Sequence, residues 1–353
     1  MNLTVQTPDE RLAALAKPVL EPVTQFELTF DDWLVVCAGF EDRALGVLQN
    51  AASRRDRFNV VIIDYRPFAP ENRLNAIRSI CQSAHLNAIE VLYDREEPAG
   101  FGAALLGRLS PANGRIFVDV SAMSRLLVMQ TLVALGSRSV GFTDCFVAYA
   151  EAKNYPPTRE EAEAELAKCE SDPTFSILFL SSGVFEITVV PELSSAAPAA
   201  AQTRLVAFPS LDAHQLTALR AEFQPSRFSF IEGVPPSAEN KWRQQVISQL
   251  NCLNEIQDAE RIQTSTLDYS ETLDALLKLY SEHAVRDRLL VSPTGSKMQT
   301  VAVGIFRAIV KDVQIAYPTP RGFCKPSEYT LGIGPLHVLP LSVFSNALKI
   351  GAS

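Results

Sequence analysis

The sequence predicts an α/β protein built as two tandem Rossmann-like lobes, each a mostly parallel sheet with helices on both faces. Three observations support this prediction. Short, nearly continuous apolar segments alternate with helical segments; a stretch rich in Pro, Ser and Ala interrupts the alternation; and the alternation then starts again. Apolar strands separated by helices of about 10 to 15 residues are typical of parallel sheets that are buried on both faces.

The predicted first lobe covers residues 1–190. Its strand segments are WLVVCA, NVVIID, AIEVLY, RIFVDV and FTDCFVAYA, and its helical segments are EDRALGVLQNAAS, ENRLNAIRSICQSA, GFGAALLGRL and SRLLVMQTLVALG. The acidic run TREEAEAELAKCESD predicts a solvated helix, and ILFLSSGVFEITVV predicts a hairpin that ends the lobe.

A linker is predicted over residues 191–203, because PELSSAAPAAAQT has the Pro, Ser and Ala content of a connecting segment. The second lobe is predicted over residues 204–353. Its strand segments are RLVAFP, FSFIEG, RIQTST, RLLVSP and VQIAYP, again with helical segments between them.

Three local matches between the lobes predict an internal duplication. PFAPENRLN matches PPSAENKWR, and VDVSAMSRLLVMQTL matches VSPTGSKMQTVAVGI with Ser124 and Arg125 over Ser296 and Lys297. Tyr149 matches Tyr317. The matches occur in the same order and at a near-constant spacing, which is the pattern that a tandem repeat leaves.

Composition limits the classes of function. A hydrophobic fraction of 47% and a charged fraction of 20% are typical of a folded globular protein. The net charge of −8 argues against a general surface for duplex nucleic acid, but it allows a local basic pocket for a small phosphorylated ligand.

The sequence indicates a cytoplasmic protein without a membrane partner. The N-terminus lacks a signal-peptide pattern, and no apolar run approaches the length that spans a membrane. The six cysteines form no CxxC pair and are expected to be reduced. The four histidines have no HxxxH or HExxH spacing, so we predict neither a metal site nor a cofactor.

The candidate site begins with a lysine in an unexpected place. Lys297 opens a predicted helix, where about half a positive charge from unpaired N–H groups disfavours a cation. A bound phosphate would offset this cost. Arg125 follows Ser124 at the matching position of the first lobe, which strengthens the interpretation. The alternative is that Thr294 or Ser296 simply caps the helix and that Lys297 points into water.

Aromatic residues complete the candidate site. Tyr149 and Tyr317 end matching predicted strands and could stack on a nucleotide base. The alternative is that each ring is a buried residue at the end of its strand.

The run LLVSPTGSKMQTVAVGIF resembles the T-G-[GS]-[TS]-K-x-M segment of CRISPR-associated Rossmann fold (CARF) domains, which sense cyclic oligoadenylates. The resemblance is strongest over Leu289–Phe306. In the first lobe, Met123 and Arg125 replace the glycine and the lysine. The resemblance implies phosphate contacts through a set of residues that the internal match extends to the first lobe: Thr294, Gly295, Ser296 and Lys297, with Ser124 and Arg125.

Three classes of function follow from the residues and this resemblance. The first is a sensor of a cyclic or linear oligonucleotide messenger in prokaryotic defence, which signals to a separate effector protein. The second is a metal-independent enzyme that cleaves the cyclic messenger, with Ser296 and Lys297 as catalytic residues. The third is a structural subunit of a defence complex with a degenerate pocket, for which the substituted first lobe is an argument.

Overall fold

The computed structural model describes residues 6–109, 113–171, 179–195 and 202–348. The chain forms two compact units. Unit 1 contains Met1–Asn154 together with Thr330–Ser353, and unit 2 contains Tyr155–Tyr329.

The described residues form a mixed α/β structure. The strands are β1 (Glu21–Val23), β2 (Trp33–Cys37), β3 (Asn59–Arg66), β4 (Asn87–Asp94), β5 (Ile116–Asp119), β6 (Cys145–Ala150), β7 (Val184–Thr188), β8 (Gln202–Ala207), β9 (Arg227–Val234), β10 (Glu260–Ser265), β11 (Asp287–Ser292), β12 (Gln314–Ile315), β13 (Tyr317–Pro320) and β14 (Leu336–Pro340). The helices are α1 (Pro8–Ala14), α2 (Gly46–Ala52), α3 (Leu74–Ser83), α4 (Phe101–Leu109), α5 (Arg125–Gly136), α6 (Arg159–Ser171), α7 (Ala213–Phe223), α8 (Trp242–Leu250), α9 (Tyr269–His283), α10 (Lys297–Ile309) and α11 (Ser345–Leu348).

Unit 1 is built on a seven-stranded sheet with the order β1-β14-β6-β5-β2-β3-β4. The five strands from β6 to β4 are parallel, whereas β14 is antiparallel to both β6 and β1. All five residues of β2 are buried, as expected for the central strand of a sheet covered on both faces.

Helices cover both faces of the unit 1 sheet. Apolar residues of α2 and α3 form one core with the strands, for example Val47 and Ile77 with Leu34. On the other face, Phe101 of α4 packs edge-on against Tyr93, whose hydroxyl donates to Gln130 of α5 at 3.1 Å.

Unit 2 contains a five-stranded parallel sheet with the order β10-β9-β8-β11-β12. One of its cores joins Leu216 and Leu219 of α7 to Leu205 and Leu290 of the central strands. A separate two-stranded sheet pairs β7 with β13 in antiparallel orientation.

The two parallel sheets share one strand order. Counted by their sequence within each unit, the parallel strands lie in the order 3-2-1-4-5 in both. In both units, the helix after the third strand packs against the helix after the fourth, α4 on α5 and α9 on α10. The predicted α/β class with largely parallel sheets is confirmed. An internal duplication would produce the same strand order in both units. The duplication itself stays a prediction.

The boundaries of the two compact units differ from those of the predicted lobes, 1–190 and 204–353. Residues 155–190 belong to unit 2, because α6 packs against α8 and β7 pairs with β13. Residues 330–353 belong to unit 1, where β14 fills the gap between β6 and β1. The segment predicted as a hairpin therefore contains β7, which pairs with β13 and not with a strand of the same segment.

The predicted linker is only partly within the described residues, which omit 196–201. Its first residues are packed within unit 2: Leu193 is buried, and the Ser195 hydroxyl donates to the backbone oxygen of Asp312 at 2.6 Å. Within the described part of the chain, no helix has the length and apolar character needed to cross a membrane.

Candidate functional site

Six of the predicted site residues lie where a sheet reverses its strand order, whereas Tyr149 lies in β6 and Tyr317 in β13. In unit 2, β8 and β11 are neighbours. The chain continues from β8 to β9 on one side of this pair and from β11 to β12 on the other side, and Thr294–Lys297 follow β11. In unit 1, β2 and β5 are the corresponding pair, and Ser124 and Arg125 follow β5. Ligands of open parallel sheets bind outside the carboxyl ends of the strands at this reversal.

Ser296 is the N-cap of α10. Its hydroxyl accepts a hydrogen bond from the backbone N–H of Gln299 at 3.1 Å, and the Gln299 side chain accepts one from the backbone N–H of Ser296 at 2.9 Å. This reciprocal pair is a capping box, which satisfies two N–H groups that a helix start otherwise leaves unbonded. The capping role that the sequence left open for Ser296 is therefore present.

The two hydroxyls of the motif donate to the protein's own backbone. Thr294 donates to the carbonyl of Phe208 at 2.5 Å, and Ser296 donates to the carbonyl of Thr266 at 2.6 Å. A hydroxyl has one proton, so neither group can donate to a phosphate without losing its present bond. These residues hold the ends of three strands together and shape the site.

Gly295 has a packing reason to be glycine. A methyl group at this position would overlap the side-chain oxygen of Gln299 and lie 3.0 Å from the Cβ of Phe208. The capping glutamine therefore occupies the space that a side chain would need.

Lys297 is the first helical residue of α10 and is half-buried. The first turn of α10 contains no acidic residue. A cation at this position raises the energy of the helix start unless an anion is nearby, since the backbone N–H groups there carry partial positive charge.

In unit 1, α5 begins in a similar way to α10. Ser124 caps α5 by accepting a hydrogen bond from the N–H of Leu127 at 3.2 Å, and Arg125 is the first helical residue. The N–H of Ser124 donates to the Tyr65 hydroxyl at 2.6 Å. Burial, with a contribution from nearby Cys37, raises the pKa of Tyr65 well above its usual range, so this hydroxyl is neutral.

The two predicted stacking tyrosines are both buried, with exposed fractions of 7% for Tyr149 and 3% for Tyr317. The Tyr149 ring stacks on His337 with ring centres 6.2 Å apart, and its hydroxyl accepts a hydrogen bond from Arg43 at 3.3 Å. Neither ring presents a free face to a base in this structure. Their burial agrees with the alternative interpretation that they are core residues. Tyr149 is the second-last residue of β6, but Tyr317 begins β13, so the two rings do not end matching strands.

Unit 1 contains a buried polar cluster that the sequence did not predict. Arg43 and Glu41 form an ion pair at 2.7 Å with side-chain exposures of 5% and 6%, and the Thr330 hydroxyl donates to Glu41 at 2.5 Å. The same arginine reaches Tyr149. Thr330 lies 289 positions from Glu41 in the chain, and no local pattern in the sequence links them.

A second ion pair lies beside this cluster. Asp42 pairs with Arg73 at 2.6 Å and accepts a hydrogen bond from the backbone N–H of Gly332 at 3.0 Å. The segment that returns to unit 1 from residue 330 thus bonds two adjacent carboxylates after β2.

No family model and no curated protein matches the chain. Solved structures with weak similarity include the cytoplasmic domain of a prokaryotic cation chloride cotransporter, with 10% identity over 91% of this chain and 99% of that one and a TM-score of 0.22. A putative dehydrogenase from Xanthomonas campestris has 12% identity over 75% and 73% of the two chains, with a TM-score of 0.24.

A phosphoethanolamine N-methyltransferase from Haemonchus contortus has 10% identity over 89% of this chain and 78% of that one, with a TM-score of 0.22. At these scores the similarity carries no argument about function.

Proposed function

We propose that this protein is a nucleotide-binding sensor that holds phosphate groups at the starts of α10 and α5. One observation carries the proposal. In both units, the helix that follows the fourth parallel strand begins with a capping serine and then a basic residue, at the point where the strand order reverses.

The electrostatics of these helix starts favour an anion. Lys297 and Arg125 each add a full positive charge to the partial charge of a helix N-terminus, and no acidic side chain lies in either first turn. A phosphate would interact favourably with both sources of charge. In unit 2 the contacts would come from Lys297 and backbone N–H groups, because the hydroxyls of Thr294 and Ser296 already donate elsewhere.

Each of these helix starts suits one phosphate group of a nucleotide. The resemblance of Leu289–Phe306 to CARF domains supports a cyclic or linear oligonucleotide messenger, and in particular a cyclic oligoadenylate. The output would then be a signal to a separate effector protein in prokaryotic defence.

Calorimetry with cyclic oligoadenylates of several ring sizes, and with linear oligoadenylates, tests the proposal. We expect Lys297→Ala to weaken binding by about 1.5 to 3 kcal/mol, the value of a hydrogen bond to a charged group, or roughly 10- to 150-fold. The matched control is Lys311→Ala, which removes an exposed lysine just after α10 in the same unit. Equal affinities of parent and Lys297→Ala would contradict the proposal.

The same ligands distinguish sensing from cleavage. We expect binding with slow or no turnover, because the Ser296 hydroxyl is committed to the Thr266 carbonyl and to the helix cap. Products are followed by chromatography, with and without a chelator. Rapid, chelator-resistant cleavage that is lost in Lys297→Ala would replace the sensor with a metal-independent nuclease, and binding to none of these ligands would favour a structural subunit.

A further inference from the structure

A second group of chemically active side chains lies in unit 2, where α9 ends beside the first residue of β10. His283 is the last residue of α9, Glu282 precedes it, and Glu260 begins β10. One ligand atom from each of these residues lies within 4.8 Å of the other two. We propose that these three side chains bind a divalent transition-metal ion, with Zn²⁺ as the best match.

The distances fit a single ion. His283 Nε2 lies 3.0 Å from a carboxylate oxygen of Glu260 and 3.9 Å from one of Glu282. Ligand atoms on a tetrahedral zinc with bonds of about 2.0 to 2.2 Å are about 3.3 to 3.6 Å apart. The two observed distances lie on either side of that value, and all three ligand atoms lie within 4.8 Å of one another, so rotation of the exposed Glu282 side chain would bring them to tetrahedral spacing.

The ligand types also fit. One imidazole and two carboxylates suit a borderline ion such as Zn²⁺ better than Mg²⁺ or Ca²⁺, which favour oxygen ligands alone. Three protein ligands leave a fourth position for water. The Glu282 side chain is 46% exposed, so the ion can reach this position from solvent.

A buried hydroxyl supports one of the carboxylates. Ser229 is fully buried, and its hydroxyl lies 3.5 Å from the same oxygen of Glu260 that faces His283. Arg204 donates to the Ser229 oxygen at 3.1 Å. Residues that hold a ligand in this way are a regular part of metal sites, because they orient the ligand atoms.

The local charge favours a cation. The C-terminus of a helix carries partial negative charge, and α9 is 15 residues long. Two carboxylates add to this charge. Lys278 lies 3.9 Å from Glu260, but its side chain is 57% exposed and can turn into solvent when a metal ion takes its place.

This site could not be predicted from the sequence because its ligands are far apart in the chain. Glu282 and His283 are adjacent, but Glu260 comes before a complete helix, and the spacing matches no metal motif. The histidine spacing predicts no metal site, but it covers only motifs whose ligands are close together in the chain. An ion here would join the first residue of an edge strand to the far end of the helix that follows it.

The experiment uses the full chain after treatment with a chelator and dialysis. Titration with ZnCl₂ by calorimetry is expected to give one saturable site, and His283→Asn and Glu282→Gln are each expected to weaken it at least about tenfold. All variants carry Cys252→Ser, which removes an exposed thiol that could bind zinc by itself. The control is His85→Asn in unit 1, where the positive φ of 53° is one that asparagine tolerates.

Thermal unfolding gives a second measurement. Zn²⁺ is expected to raise the unfolding temperature of the parent and of His85→Asn, but not of His283→Asn. If His283→Asn does not fold, Glu282→Gln decides the question, since this exposed carboxylate has only a long contact with His283. The absence of a saturable site in the parent, or equal zinc affinity in the parent and Glu282→Gln, would overturn the proposal.

Discussion

At the start of α10, one glutamine side chain organises several neighbours. The Gln299 amide accepts from the N–H of Ser296 at 2.9 Å, donates to the Thr264 hydroxyl at 3.1 Å and fills the space above Gly295. The residue is almost completely buried, so its bonds are not exchanged for bonds to water. The conformation of the predicted phosphate-binding loop therefore depends on a side chain that follows the loop.

We expect Gly295→Ala to destabilise the protein by about 1 to 3 kcal/mol, because the new methyl group overlaps the Gln299 amide. In a Gln299→Ala background the penalty should be smaller, since the overlapping atoms are gone. Urea unfolding of the parent, both single variants and the double variant measures this coupling. The control is Gly107→Ala in α4, where a methyl group meets no atom within 4 Å and should be neutral or slightly stabilising. Equal penalties for Gly295→Ala in both backgrounds would contradict the argument.

Part of this site could be predicted from the residues alone. The spacing of Ser296 and Gln299 fits a capping box, so the cap could be predicted. The bond from Thr294 to Phe208 could not, because the two residues are 86 positions apart and meet only when β8 and β11 become neighbours. For the same reason, the sequence could not show that the hydroxyls of the motif are already bonded.

At the scale of elements, the amino ends of β2 and β5 are joined by a buried carboxylate. Asp32 precedes β2 and accepts hydrogen bonds from the backbone N–H of Arg115 at 2.9 Å and from its guanidinium at 2.6 Å. Thr29 donates to the same carboxylate from its N–H at 2.7 Å and from its hydroxyl at 3.0 Å. Burial alone would raise the pKa of Asp32, but these hydrogen bonds outweigh it and lower the pKa.

A lowered pKa in the folded state means that the unfolded chain binds a proton more readily. The Asp32 carboxylate therefore stabilises the fold above its ordinary pKa, and this contribution is lost as the pH falls from about 4 through the lower folded-state value. We expect Asp32→Asn to destabilise the protein at pH 7 and to reduce the loss of stability on acidification. Urea unfolding between pH 7 and pH 3 measures both effects, with the exposed neighbour Asp31→Asn as control. The same pH dependence in Asp32→Asn and the parent would show that this carboxylate does not contribute.

Local patterns predicted the parallel strands and their helices well, because each pattern reports burial within one element. They failed for β7 and β14. The sequence suggested that ILFLSSGVFEITVV folds back on itself, but β7 pairs with β13, more than a hundred residues later. β14 likewise returns to β6. Pairing between distant strands depends on which sheet edges are free, and strand periodicity does not contain that information.

At the scale of the whole molecule, unit 2 is an insertion in the sequence of unit 1. The chain leaves unit 1 after Asn154 and re-enters it at Thr330. Asn154 and Leu331 form an antiparallel bridge with two backbone hydrogen bonds of 3.0 Å. The two ends of the insertion are therefore held side by side.

This arrangement predicts which fragments fold. A fragment of residues 155–329 retains both of its sheets and should unfold cooperatively. A fragment of residues 204–353, the lobe predicted from the sequence, loses β7 and carries β14 without its partner strands, so it should be poorly folded. Circular dichroism and thermal unfolding of both fragments test the prediction. A cooperative transition for 204–353 and none for 155–329 would contradict this division.

The pairing of β1 with β14 has a mechanical consequence. The two strands are antiparallel, with Glu21 opposite Val338, so the start of β1 and the end of β14 lie at the same end of the pair. A pulling force applied before β1 and after β14 would open this pair one hydrogen bond at a time, instead of shearing all its bonds together. The inserted residues 155–329 would carry no load until β14 had also separated from β6. In a single-molecule pulling experiment, unit 1 should therefore yield first and at low force, and extension of unit 2 should follow as a separate event.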